Sequence, residues 1–186
     1  MTDPRAEMRR KDRGKDEAWI RAYLRAATWG FVATVGEDGQ PYLHANLFAF
    51  DEERHCLWLH TNRTGRFRSS VDACEKVVFS AAGMGRMLPA LTALEFSVEY
   101  ASVVVFGSGH VVEDPGEAAR GLRLLLERCA PHLRYGEDYR AVTEDELKRT
   151  AVYRVDIEAW SGKQKEAPED FPGAYVLPGP PVPFAT

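Results

Sequence analysis

The sequence has few cysteines, and none of them are spaced as pairs. Cys56, Cys74 and Cys129 lie far apart, and no Cys-x-x-Cys motif occurs. Structural zinc sites and disulfide frameworks are built on such pairs or on an even set of cysteines. We therefore expect no metal site. The 186 residues suffice for one domain whose hydrophobic core is stable without disulfide bonds or a structural metal.

Long apolar runs and an excess of positive charge are also missing. No stretch approaches the ~18 apolar residues of a membrane-spanning helix, and the charged N-terminal stretch lacks the apolar centre of a signal peptide. The 24 basic residues are outnumbered by 28 acidic ones, which gives a net charge of −4. General nucleic-acid binders usually carry the opposite balance. The expectation is a cytoplasmic protein that binds neither membrane nor nucleic acid.

Composition divides the chain into three parts. Residues 1–15 mix charges of both signs and are expected to be a poorly ordered lead-in. Residues 16–166 carry the apolar periodicities of a folded domain. Residues 167–186 contain six prolines and predict an extended tail, whose aromatic side chains could lie along a surface.

The first half of the central part reads as one helix followed by strands. Apolar positions from Trp19 to Ala27 follow helical spacing, with Asp16 as the N-cap. Three β-rich runs then follow at 30–35, 41–50 and 55–60. Because the connections between these runs are short, they predict an antiparallel meander rather than βαβ units.

The second half adds more strands and a few short helices. The expected elements are a helix at 64–73, a strand at 76–81, an apolar loop at 82–94, a β-rich stretch at 95–112, a helix from Pro115, a capping box at Thr143–Glu146, a strand at 151–157 and a polar exit at 158–163. Six or seven mostly antiparallel strands bury one core most simply as a small barrel, because closure removes edge strands.

A polar turn follows the third β-rich run and carries the most chemistry. His60, Thr61 and Asn62 end the run, and Gly65 lets the backbone approach a ligand closely. Three arginines follow within six residues, at positions 63, 66 and 68. Guanidinium groups and the N–H groups of a helix start both favour phosphate. The turn therefore predicts a phosphate site, with a solvated basic turn as the alternative.

Five motifs in a fixed order carry a family resemblance. They are G-x-V-A-T-V at 30–35, D-G-Q-P-Y at 38–42, H-T-N-x-x-G-R at 60–66, Y-x-S-V-V-V-F-G at 100–107 and W-S-G-K at 160–163. Each motif is weak alone. Together, and in this order, they resemble the pyridoxamine 5′-phosphate oxidase-like split-barrel flavoproteins, nearest the nitroimidazole reductase (Nim-type) branch.

The resemblance implies a mainly β fold, a six-stranded antiparallel split barrel that forms a homodimer with FMN in two clefts across the interface. At the phosphate end it places His60, Thr61, Asn62 and Arg66, with Arg68 as a further candidate. Facing the isoalloxazine ring it places His44, Ala45, Asn46 and Leu47. Near the cofactor from the long strand it places Ser102. From near the chain end, or from the other subunit, it brings Trp160 and Lys163.

One position departs from the family pattern. Many relatives carry a phosphate-binding lysine directly after the glycine–arginine pair, and here that residue is Phe67. Either Arg68 substitutes, or Arg66 suffices, or FMN is held weakly. The family's own oxidase also carries an arginine-bearing C-terminal segment, which the tail after Lys163 does not show. The sequence therefore argues against that specific oxidase activity.

The resulting functional hypothesis is a flavin reductase. Electrons from NADH or NADPH would pass through FMN to a small organic acceptor such as a nitroimidazole, with His44 and His60 as candidate catalytic groups. The alternative is a protein that binds flavin, haem or a deazaflavin in the same cleft without turnover. Plainer interpretations stay open for single residues: core packing for Trp160, a solvated amine for Lys163, and a solvent-facing strand for His44 and Asn46.

Overall fold

A computed structural model describes residues 3–178, and these contain one nine-stranded sheet and four α-helices. The strands are β1 (Gly14–Lys15), β2 (Trp29–Val35), β3 (Pro41–Leu47), β4 (Ala49–Asp51), β5 (Cys56–Asn62), β6 (Lys76–Leu88), β7 (Ser97–Val111), β8 (Thr150–Lys165) and β9 (Tyr175–Val176). The helices are α1 (Glu17–Ala26), α2 (Arg66–Ala73), α3 (Pro115–Cys129) and α4 (Glu144–Leu147).

The sheet is a split barrel. Its strand order is β3-β2-β6-β7-β8-β5-β4, all neighbours are antiparallel, and β1 and β9 add to β8 and β6. β3 and β5 lie far apart in that order, yet the Asn46 side chain donates a hydrogen bond of 3.0 Å to the His60 carbonyl. Within residues 3–178 no backbone ladder joins these two strands, so the barrel keeps an open seam. The expected antiparallel split barrel with six long strands is confirmed.

The core lies inside the barrel and is built from alternate strand positions. Val32, Phe79, Val105 and Tyr153 are almost completely buried there. α1 and α2 complete it with their apolar faces, which include Ile20, Leu24, Phe67 and Val71. Asp16 caps α1 as the sequence predicted, since its side chain accepts the Trp19 N–H at 2.9 Å.

A second cluster lies outside the barrel, under α3. It joins Trp58 of β5 to Leu125 of the helix and to Val152 of β8. The helix approaches Trp58 closely at Gly121, where a Cβ atom would lie 2.4 Å from the indole ring. β5 is therefore covered on both faces, and its run of buried residues from 56 to 59 follows from that position.

The predicted meander is wrong in its pairing. β2 does pair with β3, but its other neighbour is β6, and β5 lies at the far end beside β8 and β4. After β3 the chain crosses the seam through buried Phe48 and starts a separate β4–β5 hairpin. Alternation along a strand reports its two faces but not its partners, which is why the error arose.

Two segments predicted as irregular are strands. β6 continues through Leu88, well into the expected apolar loop, and β8 continues through the expected polar exit to Lys165. Both continue because β7 lies between them and pairs with each over most of its length. Long-range pairing here outweighs the local glycine and polar signals.

The first and the last of the described segments both contact the barrel. Residues 3–15 include two short 3-10 turns and β1, which pairs with β8 at Gly162 and Lys163. At the other end, Arg86 donates to the backbone carbonyls of Ala167, Pro168 and Glu169, and β9 pairs with β6. The division into lead-in, domain and tail stays a prediction, and its part at 179–186 lies outside the described residues.

Candidate functional site

The turn between β5 and α2 forms an open helix start. Asn62 Oδ1 accepts the Thr64 backbone N–H at 3.2 Å and shapes the turn. Gly65 then adopts φ 131°, a conformation that favours glycine, and a Cβ there would meet no atom within 4 Å. No side chain caps α2. Its first N–H groups therefore have no side-chain partner among the described residues, which suits a bound anion.

The three arginines of this turn differ in their partners. Arg68 Nε binds Asp72 at 2.6 Å, and Arg63 donates to the Leu147 carbonyl at 3.1 Å and to Glu113 at 3.4 Å. Arg66 has no carboxylate oxygen within 4.0 Å among residues 3–178. Its exposed guanidinium lies over the Tyr42 ring, 5.1 Å from the centroid. Arg66 is therefore the arginine of this turn that remains available for a ligand.

A surface depression surrounds Arg66. Its lining comes from the β2–β3 turn, from β3 and from the first turns of α2: Gly36, Glu37, Asp38, Gln40, Tyr42, Arg66, Ser69 and Ser70. Asp38 is engaged with its own turn, because its Oδ1 accepts the Gln40 backbone N–H at 3.0 Å. Arg66 and the Tyr42 ring together offer charge, hydrogen-bond donors and an aromatic surface to a ligand, while Ser70 is buried and the Ser69 hydroxyl donates to the Gly65 carbonyl at 3.3 Å.

Phe67 stands where many relatives carry a lysine, and in this chain its side chain is part of the core. It is only 5% exposed and belongs to the barrel core. Its ring stacks on His44 with centroids 5.1 Å apart and meets the Tyr153 ring edge-on at 4.8 Å. In this chain position 67 supports the turn from below through packing, and any positive charge for a ligand must come from elsewhere.

β3 presents its four predicted residues on two faces. His44 and Asn46 are half-buried on the inner face, His44 against Phe67 and Asn46 bonded to the His60 carbonyl. Ala45 and Leu47 are exposed on the opposite face. Because side chains alternate along a strand, all four cannot face one ring through their side chains. The structure brings His44 and Asn46 together and separates them from Ala45 and Leu47.

His60 and Thr61 lie at the end of β5, away from the depression around Arg66. Thr61 Oγ1 lies 3.2 Å from the Tyr153 hydroxyl at the edge of the core. Both residues line a separate depression together with Asn62, Glu146 and Arg149. Burial lowers the pKa of His60, and its Nδ1 is buried without a partner among the described residues. His60 and Arg66 thus flank the same turn but face different depressions.

The remaining predicted residues lie toward the other end of β8. Thr150 of β8 pairs with Asn62, whereas Lys163 pairs with Ser102. At ~3.3 Å per residue these two points are roughly 40 Å apart along the strand. Lys163 is therefore distant from Arg66 within one chain.

Trp160 has contacts of a packing residue. Its ring lies 4.6 Å from the His55 ring and 6.2 Å from the Phe50 ring, and the Arg21 guanidinium lies over it at 5.1 Å. These contacts match the plainer interpretation of this residue. A role for Trp160 or Ser102 in holding a cofactor stays a prediction.

Sequence reasoning missed three residues at these places. Tyr42 lies two positions before His44, and Tyr100 two positions before Ser102, so the two-residue strand period could have found both. Arg13 had no local signal, because its contact with Tyr100 joins the lead-in to the long strand.

Two features are absent from residues 3–178, a cluster of metal-binding side chains and a membrane-spanning helix. Residues 3–178 hold no group of three or more His, Cys, Asp or Glu side chains arranged for a metal ion. None of the helices in that range is long and apolar enough to span a bilayer.

The family model for pyridoxamine 5′-phosphate oxidase matches residues 16–164. The match begins just after β1 and includes all four helices and every long strand, with β8 up to residue 164. The chain belongs to the pyridoxamine 5′-phosphate oxidase family. A search of the curated proteins finds no match.

Several solved structures share the fold of this family member. The flavocytochrome Anf3 from Azotobacter vinelandii is 21% identical, with 99% of this chain and 91% of that chain covered and a TM-score of 0.74. The FAD and haem binding protein from Mycobacterium smegmatis is 23% identical, with 82% and 72% covered and a TM-score of 0.69. A candidate 5-nitroimidazole antibiotic resistance protein from Bacteroides thetaiotaomicron is 18% identical, with 82% and 89% covered and a TM-score of 0.66.

Proposed function

We propose that this chain binds FMN, with the phosphate at the start of α2. The observation that carries the proposal is the free guanidinium of Arg66 beside an uncapped helix start that opens onto free space at Gly65. An arginine and helix N–H groups are the usual partners of a phosphate monoester. Membership of the family, and similarity to structures of flavin-binding proteins, support the same choice.

The residues present fit a flavin, with one limitation. Arg66 and the α2 backbone supply donors for the phosphate, while His44 and Asn46 line the half-buried side of the seam. Phe67 removes the second cation that relatives place beside the arginine. We therefore expect weaker phosphate binding than a site with both cations provides, and FAD is the flavin to compare with FMN because FAD binding is in the name of one structural neighbour.

We propose that the chain forms a homodimer through the outer face of β2 and β3. The outer face of β2 and β3 is apolar and open: Trp29 is 53%, Leu43 58% and Leu47 45% exposed. Pairing places Leu47 opposite Trp29 and Ala45 opposite Phe31, so these side chains form one continuous surface. A second copy would cover that surface, because a contiguous exposed apolar patch of this kind marks a protein–protein contact.

The dimer has a direct test. Light scattering at micromolar concentration should give twice the monomer mass, and Leu43→Asp should shift the protein toward monomer because it places a charge in the apolar surface. Leu177→Asp, on the exposed tail, is the matched control. A native chain that is monomeric at this concentration would contradict the proposal.

We propose that the bound flavin carries electrons from NADH or NADPH to a small organic acceptor, as in the nitroimidazole reductase branch. A bound flavin supplies two-electron chemistry. The chain's own residues hold and shield it: Phe67 and Tyr153 exclude water below the seam, Asn46 fixes β3 against β5, and His44 is placed to exchange a proton at its imidazole. The pyridoxamine phosphate oxidase reaction is not proposed, because the tail lacks the substrate-binding arginine segment.

The experiment is a flavin titration followed by an assay. FMN and FAD are added separately to purified protein, and binding is read from the change in the flavin visible spectrum. Oxidation of NADH and of NADPH is then followed with and without a nitroimidazole. Binding with acceptor-dependent oxidation supports the reductase, whereas an unchanged spectrum at tens of micromolar flavin contradicts flavin binding altogether.

A second candidate function is binding without turnover. Two structural neighbours are haem proteins by name, the flavocytochrome Anf3 and the M. smegmatis protein, and this observation favours haem as the alternative ligand. The half-buried His44 and His60 are the histidines near the seam that a haem could use. A haem titration that gives a histidine-ligated Soret band, with no flavin binding, would favour this candidate, and a deazaflavin can be tested in the same way.

A further inference from the structure

The loop that follows α3 folds back along that helix. Between the helix and the later part of the loop lies a depression with a volume of about 450 Å³. Gly136 adopts φ 86°, and its N–H donates to the Tyr139 carbonyl at 2.8 Å, which closes a tight turn in the loop. The turn brings Tyr135 and Tyr139 together, with the rings edge to face and their centroids 5.7 Å apart. Both tyrosines therefore line the depression beside the helix.

The loop is held against α3 without joining the core. Within residues 3–178, neither hydrophobic cluster includes a residue from the range 130–142. Apolar side chains around the depression are incompletely covered, since Leu126 is 46% and Tyr135 44% exposed. The apolar part of the lining consists of Ala119, Leu122, Leu126, Tyr135, Tyr139 and Val142. A mostly apolar depression of this volume with few polar groups is the usual form of a small-molecule site.

The hydroxyl of Tyr139 is a buried polar group without a partner. Its oxygen is enclosed, and no residue in the range 3–178 forms a hydrogen bond with it. Buried polar groups are normally hydrogen-bonded, because an unpaired one loses its contact with water and gains nothing in return. Since the loop has few buried contacts, a small movement of the loop brings this hydroxyl within reach of the depression. A ligand with an oxygen acceptor would then satisfy it.

The charges around the depression are already balanced. Three arginines of the lining each bind a carboxylate at 3.0 Å or less, in the pairs Arg120–Asp51, Arg123–Glu127 and Arg140–Glu146. An anionic ligand would have to compete with these carboxylates, and Glu127 itself belongs to the lining. A paired guanidinium still offers a flat face to an aromatic ring, as Arg123 does to Tyr135 at 5.0 Å. These contacts favour a flat and uncharged ligand.

We propose that this depression binds a small uncharged aromatic compound that carries a carbonyl oxygen. The tyrosine rings and Leu126 would pack on its aromatic part, and the Tyr139 hydroxyl would donate to its carbonyl. Ala118 and Leu125 of α3 pack in the cluster on β5, whereas the depression uses the neighbouring positions Ala119 and Leu126. The site shares no residue with the flavin site proposed above, and its failure would leave that proposal unaffected.

The test compares three naphthalenes of similar size on the full-length protein. The first, 2-acetylnaphthalene, carries the carbonyl, 2-ethylnaphthalene lacks it, and 2-naphthoate carries a negative charge. Ligand-observed NMR titration measures the binding of each. We expect 2-acetylnaphthalene to bind most tightly, because it alone combines an uncharged ring system with an acceptor for Tyr139. We expect 2-naphthoate to bind most weakly, because the guanidinium groups are already paired.

Two variants test the hydrogen bond and the space separately. Tyr139→Phe should weaken 2-acetylnaphthalene roughly fivefold, the effect of losing one hydrogen bond between neutral groups, and leave 2-ethylnaphthalene unchanged. Tyr175→Phe, at an exposed tyrosine of β9, is its matched control. Ala119→Phe should abolish the binding of both compounds because the larger side chain fills the depression. Ala22→Phe, at an exposed position of α1, is the control for the added ring.

Each result either supports or overturns the proposal. Binding of 2-acetylnaphthalene that Ala119→Phe removes and Tyr139→Phe weakens supports it. No saturable binding up to the solubility limit, or equal binding by Ala119→Phe, overturns it. Naphthoate that binds as tightly as the ketone overturns the assignment to an uncharged ligand, and an unchanged affinity in Tyr139→Phe overturns the role of the carbonyl. Thermal unfolding verifies that each variant is folded, and Leu126→Asp, at an exposed position, replaces Ala119→Phe if that variant does not fold.

Discussion

Each end of the barrel places a cation over a tyrosine ring, but the two ends are built from different parts of the chain. At one end the free guanidinium of Arg66 lies 5.1 Å from the Tyr42 ring. At the other the ammonium of Lys163 lies 5.5 Å from the Tyr100 ring, with Arg13 on the same phenol. The Arg66 end comes from a compact strand–turn–helix whose neighbouring residue Phe67 is in the core. The Lys163 end comes from three segments that meet only through β1, β7 and β8.

This difference predicts different vulnerabilities. A cation on a helix that is anchored in the core is positioned rigidly, and the buried side chains that anchor the helix are costly to remove. A cation held by a two-residue strand at the surface can be removed with little effect on the fold, because few buried contacts depend on it. The expected effects below follow from this contrast, from the largest to the smallest.

Phe67→Ala should have the largest effect. It removes a ring that is 5% exposed and packed on His44 and Tyr153, and truncation of a buried phenylalanine costs about 3–5 kcal/mol of unfolding free energy. Urea unfolding measures this cost. Arg13→Ala at the other end is the comparison, expected at about 1 kcal/mol because it removes one hydrogen bond, to the Tyr100 hydroxyl, and a long ion pair with Asp12. Similar losses in both variants would contradict the contrast.

Arg66→Ala should weaken flavin binding without a comparable loss of stability. We expect a loss of about 1.5–3 kcal/mol in binding free energy, the range for a hydrogen bond to a charged group. Flavin titration of the folded variant gives the value. Arg68→Ala is the matched control, since Arg68 is engaged with Asp72 at 2.6 Å. A loss near zero for Arg66→Ala, or an equal loss for Arg68→Ala, would place the phosphate elsewhere.

The smallest expected effects are on the pH dependence of stability. The effect of His60 lies below neutral pH and the effect of Tyr100 lies above it. Burial lowers the pKa of His60, so its contribution to stability is present above the unfolded value of about 6.5 and is lost as pH falls through the lower folded value. The cations beside Tyr100 lower its pKa against the effect of burial, so its contribution is present above about 10 and is lost as pH falls through its folded value.

Both shifts can be measured directly. Proton NMR should show His60 titrating below free histidine, and ultraviolet absorbance should show a tyrosine that ionises below the usual range. Lys163→Gln should raise the pKa of that tyrosine and leave His60 unchanged, since the two groups lie at opposite ends. A shift of both groups in this variant would show that the ends are coupled.

Much of the Arg66 end could be predicted from the sequence because its residues are close together in the chain. His60, Thr61, Asn62 and Gly65 follow one another in the expected strand–turn–helix, and the capping box at Thr143 also forms as expected. What the sequence did not predict is the direction of each side chain. His60 and Arg66 line different depressions, and Ala45 and Leu47 face away from His44, because the local sequence does not show which face of a strand is inside.

The sequence by itself determined the mainly β barrel, the helix boundaries near Asp16 and Thr143, and the turn that carries Arg66, because periodicity, caps and glycine conformations act over a few residues. Only the tertiary structure decided that β5 pairs with β8 rather than β3, that Phe67 faces the core, and that Arg13 meets Tyr100 and Lys163. Those outcomes depend on which distant strands bury each other's apolar faces, and that free energy belongs to no single stretch of the chain.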